Sequence, residues 1–89
     1  MAKSKIISYD LCKPGKNYDD LYEYIRNFSS WAHITESTWF VSSDKSCADI
    51  RDEIKNIVDS NDKIFVAELT GVAAWNNVLC QSDYLKEHL

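Results

Sequence analysis

The sequence has few residues that interrupt regular structure, since its only glycines are Gly15 and Gly71 and its only proline is Pro14. Glycine and proline mark most turns, so their scarcity predicts helices and strands that are joined by short connections. With 89 residues the chain has room for one hydrophobic core. Hydrophobic residues make up 45% of it and charged residues 27%, a composition that excludes a disordered chain.

Signals for membranes and disulfides are also missing. No apolar run approaches the roughly 18 residues of a membrane-spanning helix, and the basic residues at positions 1–5 are followed by too short an apolar run for a signal peptide. The three cysteines are widely spaced and form no CxxC pair. An odd number of unpaired cysteines predicts reduced thiols, so we expect a cytoplasmic protein without membrane contact.

The charge balance is acidic, with a formal net charge of −4. This balance argues against a general nucleic-acid coat protein, because phosphate binding depends on basic surface. The first sixteen residues are different, since they contain Lys3, Lys5, Lys13 and Lys16 against Asp10 alone. Two interpretations remain open for these lysines: a local basic edge, or a solvated amino-terminal region.

Residue periodicity predicts four strands and two helices. Apolar and polar residues alternate, or β-branched and aromatic residues cluster, over residues 5–11, 31–34, 38–42 and 63–69. Apolar residues recur three and four positions apart over residues 17–28 and 47–59. The order strand, helix, strand, strand, helix, strand predicts an α+β fold of the ferredoxin-like βαββαβ kind. Such a fold has an antiparallel four-stranded sheet with both helices on one face.

We therefore assign residues 1–71 to a ferredoxin-like domain and residues 72–89 to a C-terminal extension. The extension contains apolar residues at positions 72–75, 78 and 79, too many to trail freely in water. We expect it to form a short helix or an extra strand and to pack on the domain or on a dimer partner.

Asp10 is the most suggestive single residue, because it lies at the carboxyl end of the first predicted strand. A carboxylate there can hold a hard cation such as Mg²⁺ or Mn²⁺. Two such carboxylates, brought together by a symmetric dimer, would make a better site than one. The alternative is that Asp10 begins the turn at residues 11–15 or caps nearby amides.

Other chemistries lack the residues that they need. Neither His33 nor His88 has a second ligand at zinc spacing, and nothing completes a nucleophile around Cys12. Neither a Walker lysine loop nor GxGxxG is present. The predicted strands include the aromatic residues Tyr9, Trp31, Trp39 and Phe40. These side chains either stack bases, as in RNA-recognition domains, or pack in the core or a dimer interface.

From Ser8-Tyr9-Asp10-Leu11 onward the sequence resembles a family of small bacterial and phage proteins that are labelled SinR-like. These are grouped with the small adaptation subunit of CRISPR systems, CRISPR-associated protein two. The resemblance spans nearly the whole domain and continues through Pro14-Gly15, Asn17-Tyr18, Trp31-Ala32-His33, Ser37-Thr38-Trp39, Ile50-Arg51-Asp52, Asn61-Asp62, Leu69-Thr70-Gly71 and Ala73-Ala74-Trp75.

The resemblance implies a ferredoxin-like homodimer that pairs through its sheets, as do the CRISPR subunit and virulence-associated protein D. Some relatives are metal-dependent nucleases that use the aspartate matching Asp10, and in adaptation complexes the subunit is a DNA-binding scaffold. Where the CRISPR subunit has an arginine-rich stretch after this aspartate, the present chain has Lys13 and Lys16. These two lysines would hold a nucleic-acid backbone.

The leading hypothesis is a homodimer with a nucleic-acid-related role centred on Asp10, acting as a metal-dependent endoribonuclease if it is an enzyme. A second hypothesis is a non-enzymatic interaction module with a protein partner, such as a toxin–antitoxin partner or a phage-encoded inhibitor of a host protein. A third is a binder of small nucleotides at the dimer cleft.

Overall fold

A four-stranded antiparallel sheet organises the chain. The computed structural model describes residues 3–11 and 18–88. The elements are β1 (Lys3–Asp10), α1 (Asp19–Arg26), β2 (Ser30–Thr35), β3 (Thr38–Ser43), α2 (Cys47–Lys55), β4 (Lys63–Glu68) and α3 (Ser82–His88). The strands lie in the order β2-β3-β1-β4, and every neighbouring pair is antiparallel. The predicted α+β class is confirmed.

The helices begin and end where local chemistry allows. The hydroxyl of Ser46 accepts a hydrogen bond from the Asp49 backbone amide at 3.0 Å and so caps α2. This helix ends at Lys55, short of the predicted residue 59, because tight turns follow it, such as the 2.8 Å bond from the Ile57 amide to the Ile54 carbonyl. The predicted first residue of α1, Asn17, lies outside the described residues.

Both α1 and α2 pack on one side of the sheet, which we call the helical face. Leu21 and Ile25 of α1 and Ile50 and Ile54 of α2 are fully buried there. They meet the inward side chains of the two central strands, namely Ile7, Tyr9, Trp39 and Val41. The predicted placement of both helices on one face agrees with this packing, and the main core lies between them and the sheet.

The other side of the sheet, which we call the α3 face, is covered by the C-terminal segment. Leu85 of α3 is 2% exposed and packs with Phe40 and Ala32. Between β4 and α3 the chain forms neither helix nor strand, and Asn77 adopts a positive φ of 54°. The short helix of the C-terminal extension, α3, begins only at Ser82, and residues 72–79 form neither helix nor strand.

Lys5 belongs neither to a basic edge nor to a solvated amino-terminal region, because it is only 2% exposed at the start of the helical face. Its ammonium group donates to the Ser43 carbonyl at 2.8 Å and lies 3.9 Å from a Glu68 carboxylate oxygen. A buried ammonium group needs such partners to offset its lost hydration. Of the two described amino-terminal lysines, only Lys3 is exposed.

The described helices are all short, and the longest of them, α2, has nine residues. Within residues 3–11 and 18–88 none is long and apolar enough to cross a bilayer.

Candidate functional site: the cleft at the end of β1

Asp10 is the last residue of β1, and its side chain is exposed. It lines an open cleft of about 350 Å³ together with Tyr9, Leu11, Tyr22, Glu36 and Ser37. We call this space the Asp10 cleft. The sequence predicted a carboxylate at the end of the first strand, and Asp10 lies there.

Antiparallel pairing explains which residues meet at this cleft. Ser8 lies opposite Thr38, the first residue of β3, so the end of β1 lies beside the turn from β2 to β3. The Tyr9 amide donates to the Ser37 carbonyl at 3.1 Å. The Glu36 carbonyl accepts from His33 Nε2 at 3.0 Å. The turn is thereby fixed against the end of β1.

Tyr9 forms the inner wall of the cleft and is 7% exposed. Its hydroxyl accepts a hydrogen bond from Trp39 Nε1 at 2.9 Å and donates to the Glu36 carbonyl at 3.4 Å. Burial raises the pKa of Tyr9 to about 12, so the hydroxyl stays protonated near neutral pH. Tyr9 therefore positions the turn and does not serve as a base.

A second carboxylate, Glu36, lines the same cleft as Asp10. Residue periodicity did not identify Glu36, because a hairpin turn is distant from β1 in sequence. The predicted strand order could have identified Glu36, since an antiparallel β1–β3 pair brings the β2–β3 turn to the end of β1. Among the described residues, no group of three or more His, Cys, Asp or Glu side chains could hold a metal ion.

Among the described residues, Lys63 is a cation near Asp10 that the sequence did not suggest. Lys13 and Lys16 lie outside the described residues, as does Cys12, so their predicted roles stay predictions. Lys63, the first residue of β4, lies directly opposite Asp10 in the β1–β4 register. A second depression of about 170 Å³ lies on this side and is lined by Asp10, Lys63 and Phe65, among others.

Three of the four predicted strand aromatics, Tyr9, Trp31 and Trp39, lie together behind the cleft, and Phe40 lies apart from them. Trp39 is 1% exposed, and His33 stacks on it with ring centroids 4.0 Å apart and 7° between the planes. His33 is a residue of β2, and it is also held by its bond to the Glu36 carbonyl. Phe40 is fully buried on the α3 face. Trp31 differs, since 39% of its surface is exposed.

No protein-family model matches this chain, and no solved structure matches it at a significant level. The function therefore has to be argued from the cleft and its surroundings.

Proposed function

We propose that this chain is a homodimeric, nucleic-acid-associated domain, akin to the CRISPR adaptation subunit, that cleaves RNA with a divalent metal ion at Asp10. The observation that carries the proposal is the exposed Asp10 carboxylate at the end of β1, in the same cleft as Glu36. Two carboxylates that line one cleft can supply the oxygen ligands that a hard divalent cation prefers.

The fold that we propose is ferredoxin-like, and its support is the element order and the sheet order. The first six elements follow one another as βαββαβ. Read from the other edge, the sheet is β4-β1-β3-β2, with the first and third strands in the centre. Central first and third strands are expected of a split βαβ unit, so this order supports the proposal.

The residues of the Asp10 cleft fit a hydrated Mg²⁺ or Mn²⁺ ion. Mg²⁺ is usually held by one or two carboxylates, with water and substrate phosphates as its other ligands. Asp10 and Glu36 would be the protein ligands. A bound ion would polarise a phosphoryl oxygen and lower the pKa of a bound water.

The other residues of the site position the Glu36 turn and supply positive charge near Asp10. Tyr9, held by Trp39, fixes the Glu36 turn. Lys63 offers a positive charge on the far side of Asp10 to a phosphate of the bound strand. Lys13 and Lys16 follow Asp10 in sequence and would add to this charge.

The test is cleavage of a single-stranded RNA with Mg²⁺ or Mn²⁺. We expect Asp10→Asn and Glu36→Gln to lower the rate by on the order of a hundredfold, since outer-shell changes at metal sites already cost 10–100-fold. Chelation with EDTA should abolish cleavage. The matched control is Asp49→Asn, which removes the same charge from an exposed position on α2 and should leave the rate unchanged. Cleavage that survives Asp10→Asn would overturn the assignment of the site.

A second candidate function is a non-enzymatic interaction module that binds a protein partner. The observation that favours it is a set of large exposed apolar side chains: Phe65 is 61% exposed, Val72 90% and Leu79 64%. Exposed apolar surface of this kind is typical of interaction sites. If the wild-type protein cleaves no RNA with either metal ion, the interaction module is favoured over the nuclease.

A further inference from the structure

We propose that a cleft at the outer edge of β2 binds an unpaired nucleobase of single-stranded RNA or DNA, stacked on Trp31. The cleft has a volume of about 330 Å³, and we call it the edge cleft; it is lined mainly by Trp31, His33, Leu79, Cys80, Gln81 and Tyr84. This inference rests on the proposed nucleic-acid role and names the part of the nucleic acid that the chain recognises.

Trp31 provides the stacking surface. Its ring lies 5.6 Å from the ring of Trp39, at 53° to it, and Trp39 is fixed in the core by its bond to Tyr9. The supported ring of Trp31 still keeps 39% of its surface exposed. Rigid aromatic rings bind bases with little loss of conformational entropy, and stacking tolerates any base because each has a π face.

The opposite wall of the edge cleft is also held in place. The Leu79 amide donates to the Ile34 carbonyl at 2.8 Å, so the C-terminal segment is attached to the edge of β2. The Tyr84 hydroxyl is hydrogen-bonded to the Ser30 hydroxyl. Gln81 is exposed in this wall, and its amide can both donate to and accept from the edge of a base.

His33 links the edge cleft to the Asp10 cleft. It lines the edge cleft and stacks on Trp39, and its Nε2 donates to the carbonyl of Glu36 at 3.0 Å. Glu36 in turn lines the Asp10 cleft. A strand whose base is stacked on Trp31 can therefore continue past the β2–β3 turn toward Asp10.

The charges favour single strands over a duplex. The chain has a net charge of −4, and a duplex is held mainly through its phosphates. Arg26, whose guanidinium carbon lies 5.8 Å from the Trp39 ring centroid, can serve a single phosphate beside the aromatic rings. One phosphate contact on a single strand predicts a slope of about −0.7 for log K against log salt concentration.

Binding of fluorescein-labelled ten-nucleotide oligonucleotides tests the inference, measured by anisotropy and by quenching of tryptophan fluorescence. EDTA is present, so that metal-dependent cleavage is stopped. The probes are oligo(U), oligo(dT) and a ten-base-pair DNA duplex. We expect both single strands to bind and the duplex to bind at least tenfold more weakly, a difference of about 1.4 kcal/mol. A stronger affinity for oligo(U) would assign the RNA 2′-hydroxyl to the interaction, whereas equal affinities would assign the base and phosphate alone.

The variants are Trp31→Ala, which removes the ring, and Trp31→Phe, which keeps an aromatic face. Trp31→Ala should weaken binding by about tenfold, and Trp31→Phe should restore most of it. The control is Asn56→Ala, an exposed change just after α2 that lies in neither cleft and should change binding less than about twofold. Circular dichroism shows whether each variant folds.

The inference is overturned if folded Trp31→Ala binds oligonucleotides as tightly as wild type, or if the duplex binds as tightly as the single strands. Its failure can be told apart from failure of the nuclease proposal. Trp31-dependent binding without cleavage supports the base site and contradicts the nuclease. Asp10-dependent cleavage with no role for Trp31 contradicts the base site alone.

Discussion

The helical face and the α3 face of the sheet are covered to very different extents. On the helical face, nine buried residues from β1, β3, the two helices and the residue before α1 form one cluster, whereas three buried residues form the cluster on the α3 face. The helical face is closed by α1 and α2, and the α3 face by the seven residues of α3 and the irregular segment before it.

This difference indicates that the helical face provides most of the folding stability, whereas the α3 face provides surface that a partner can contact. Buried apolar area is the main source of folding free energy, so the helical face should supply most of it. The thin cover of the α3 face leaves Phe65 of β4 61% exposed. That face is therefore the one on which a partner can gain contact area without unfolding the domain. Four predictions test the division, in order of decreasing effect on stability.

The largest effect is expected for Ile54→Ala on the helical face. Ile54 is fully buried between α2 and the sheet, as the periodicity of the second helix predicts. Truncation should lower the free energy of unfolding by about 2–5 kcal/mol, because it removes buried methyl groups and leaves a cavity. The measurement is the midpoint of urea denaturation, with Phe65→Ala as the exposed control. An unchanged midpoint for Ile54→Ala would contradict the packing of α2.

A smaller effect is expected for Leu85→Ala on the α3 face. Leu85 is 2% exposed and packs with Phe40 and Ala32. The loss should be about 2 kcal/mol, at the low end for a buried leucine, because a small cluster can collapse onto the gap. The same urea titration measures it. A loss as large as that of Ile54→Ala would show that the two faces contribute equally to the free energy of unfolding, and would contradict the unequal division between them.

The sequence predicted the helical face well because its pattern is local. Alternation in β1 places Ile7 and Tyr9 on one side, and spacings of four place Leu21 with Ile25 and Ile50 with Ile54 on one side of each helix. Such patterns depend only on the geometry of the element that carries them. Asp10 was found for the same reason, since it ends a clearly alternating strand.

The α3 face and the walls of both clefts depend on contacts that are distant in sequence. Nothing local to Glu36 indicates that it lies beside Asp10, since only the β1–β3 register brings them to one cleft. The burial of Lys5 likewise depends on the carbonyl of Ser43, across the β1–β3 pair. Around residues 72–79 the apolar composition predicted an element, but the chain packs Trp75 and Val78 without one.

A third prediction concerns the rim of the helical face, where a polar network joins α1 to α2. The Tyr24 hydroxyl donates to a Glu53 carboxylate oxygen at 2.6 Å, and Lys45 donates to both oxygens at 2.8 Å. Tyr24→Phe removes one bond and should lower the free energy of unfolding by about 1 kcal/mol near neutral pH. This network is partly exposed, so Tyr24→Phe should lower the free energy of unfolding by less than Ile54→Ala or Leu85→Ala.

The pH dependence of this third effect has a definite sign. Hydrogen bonds from Lys45 and then from Tyr24 lower the pKa of Glu53 below its ordinary value of 4.5. A lowered pKa stabilises the fold above the unfolded value, and that contribution is lost as the pH falls through the folded value. The gap between wild type and Tyr24→Phe should therefore narrow below about pH 4.5. A gap that widens in acid would contradict the assignment of the bond to ionised Glu53.

The smallest effect on the stability of the single domain, and the largest on assembly, is expected for Phe65→Ser on the α3 face. By alternation with the inward Ile64 and Val66, Phe65 points to the α3 face. An exposed ring there contributes little to folding but much to a dimer interface. Phe65 also lies two residues after Lys63, the partner of Asp10 in the β1–β4 register. An interface centred on Phe65 would therefore lie beside Asp10.

Sedimentation equilibrium at micromolar concentration measures this last prediction. Wild type should sediment at about twice the chain mass of 10.3 kDa, and Phe65→Ser at the mass of one chain with its urea midpoint at low protein concentration nearly unchanged. Asn56→Ser, an exposed change just after α2, is the control and should stay dimeric. A wild-type monomer would contradict both the dimer and a site shared by two Asp10 residues, because each Asp10 cleft would then have only its own Glu36 as a second carboxylate. A dimer that survives Phe65→Ser would instead place the interface away from β4, and the exposed Val72 and Leu79 would become the next residues to change.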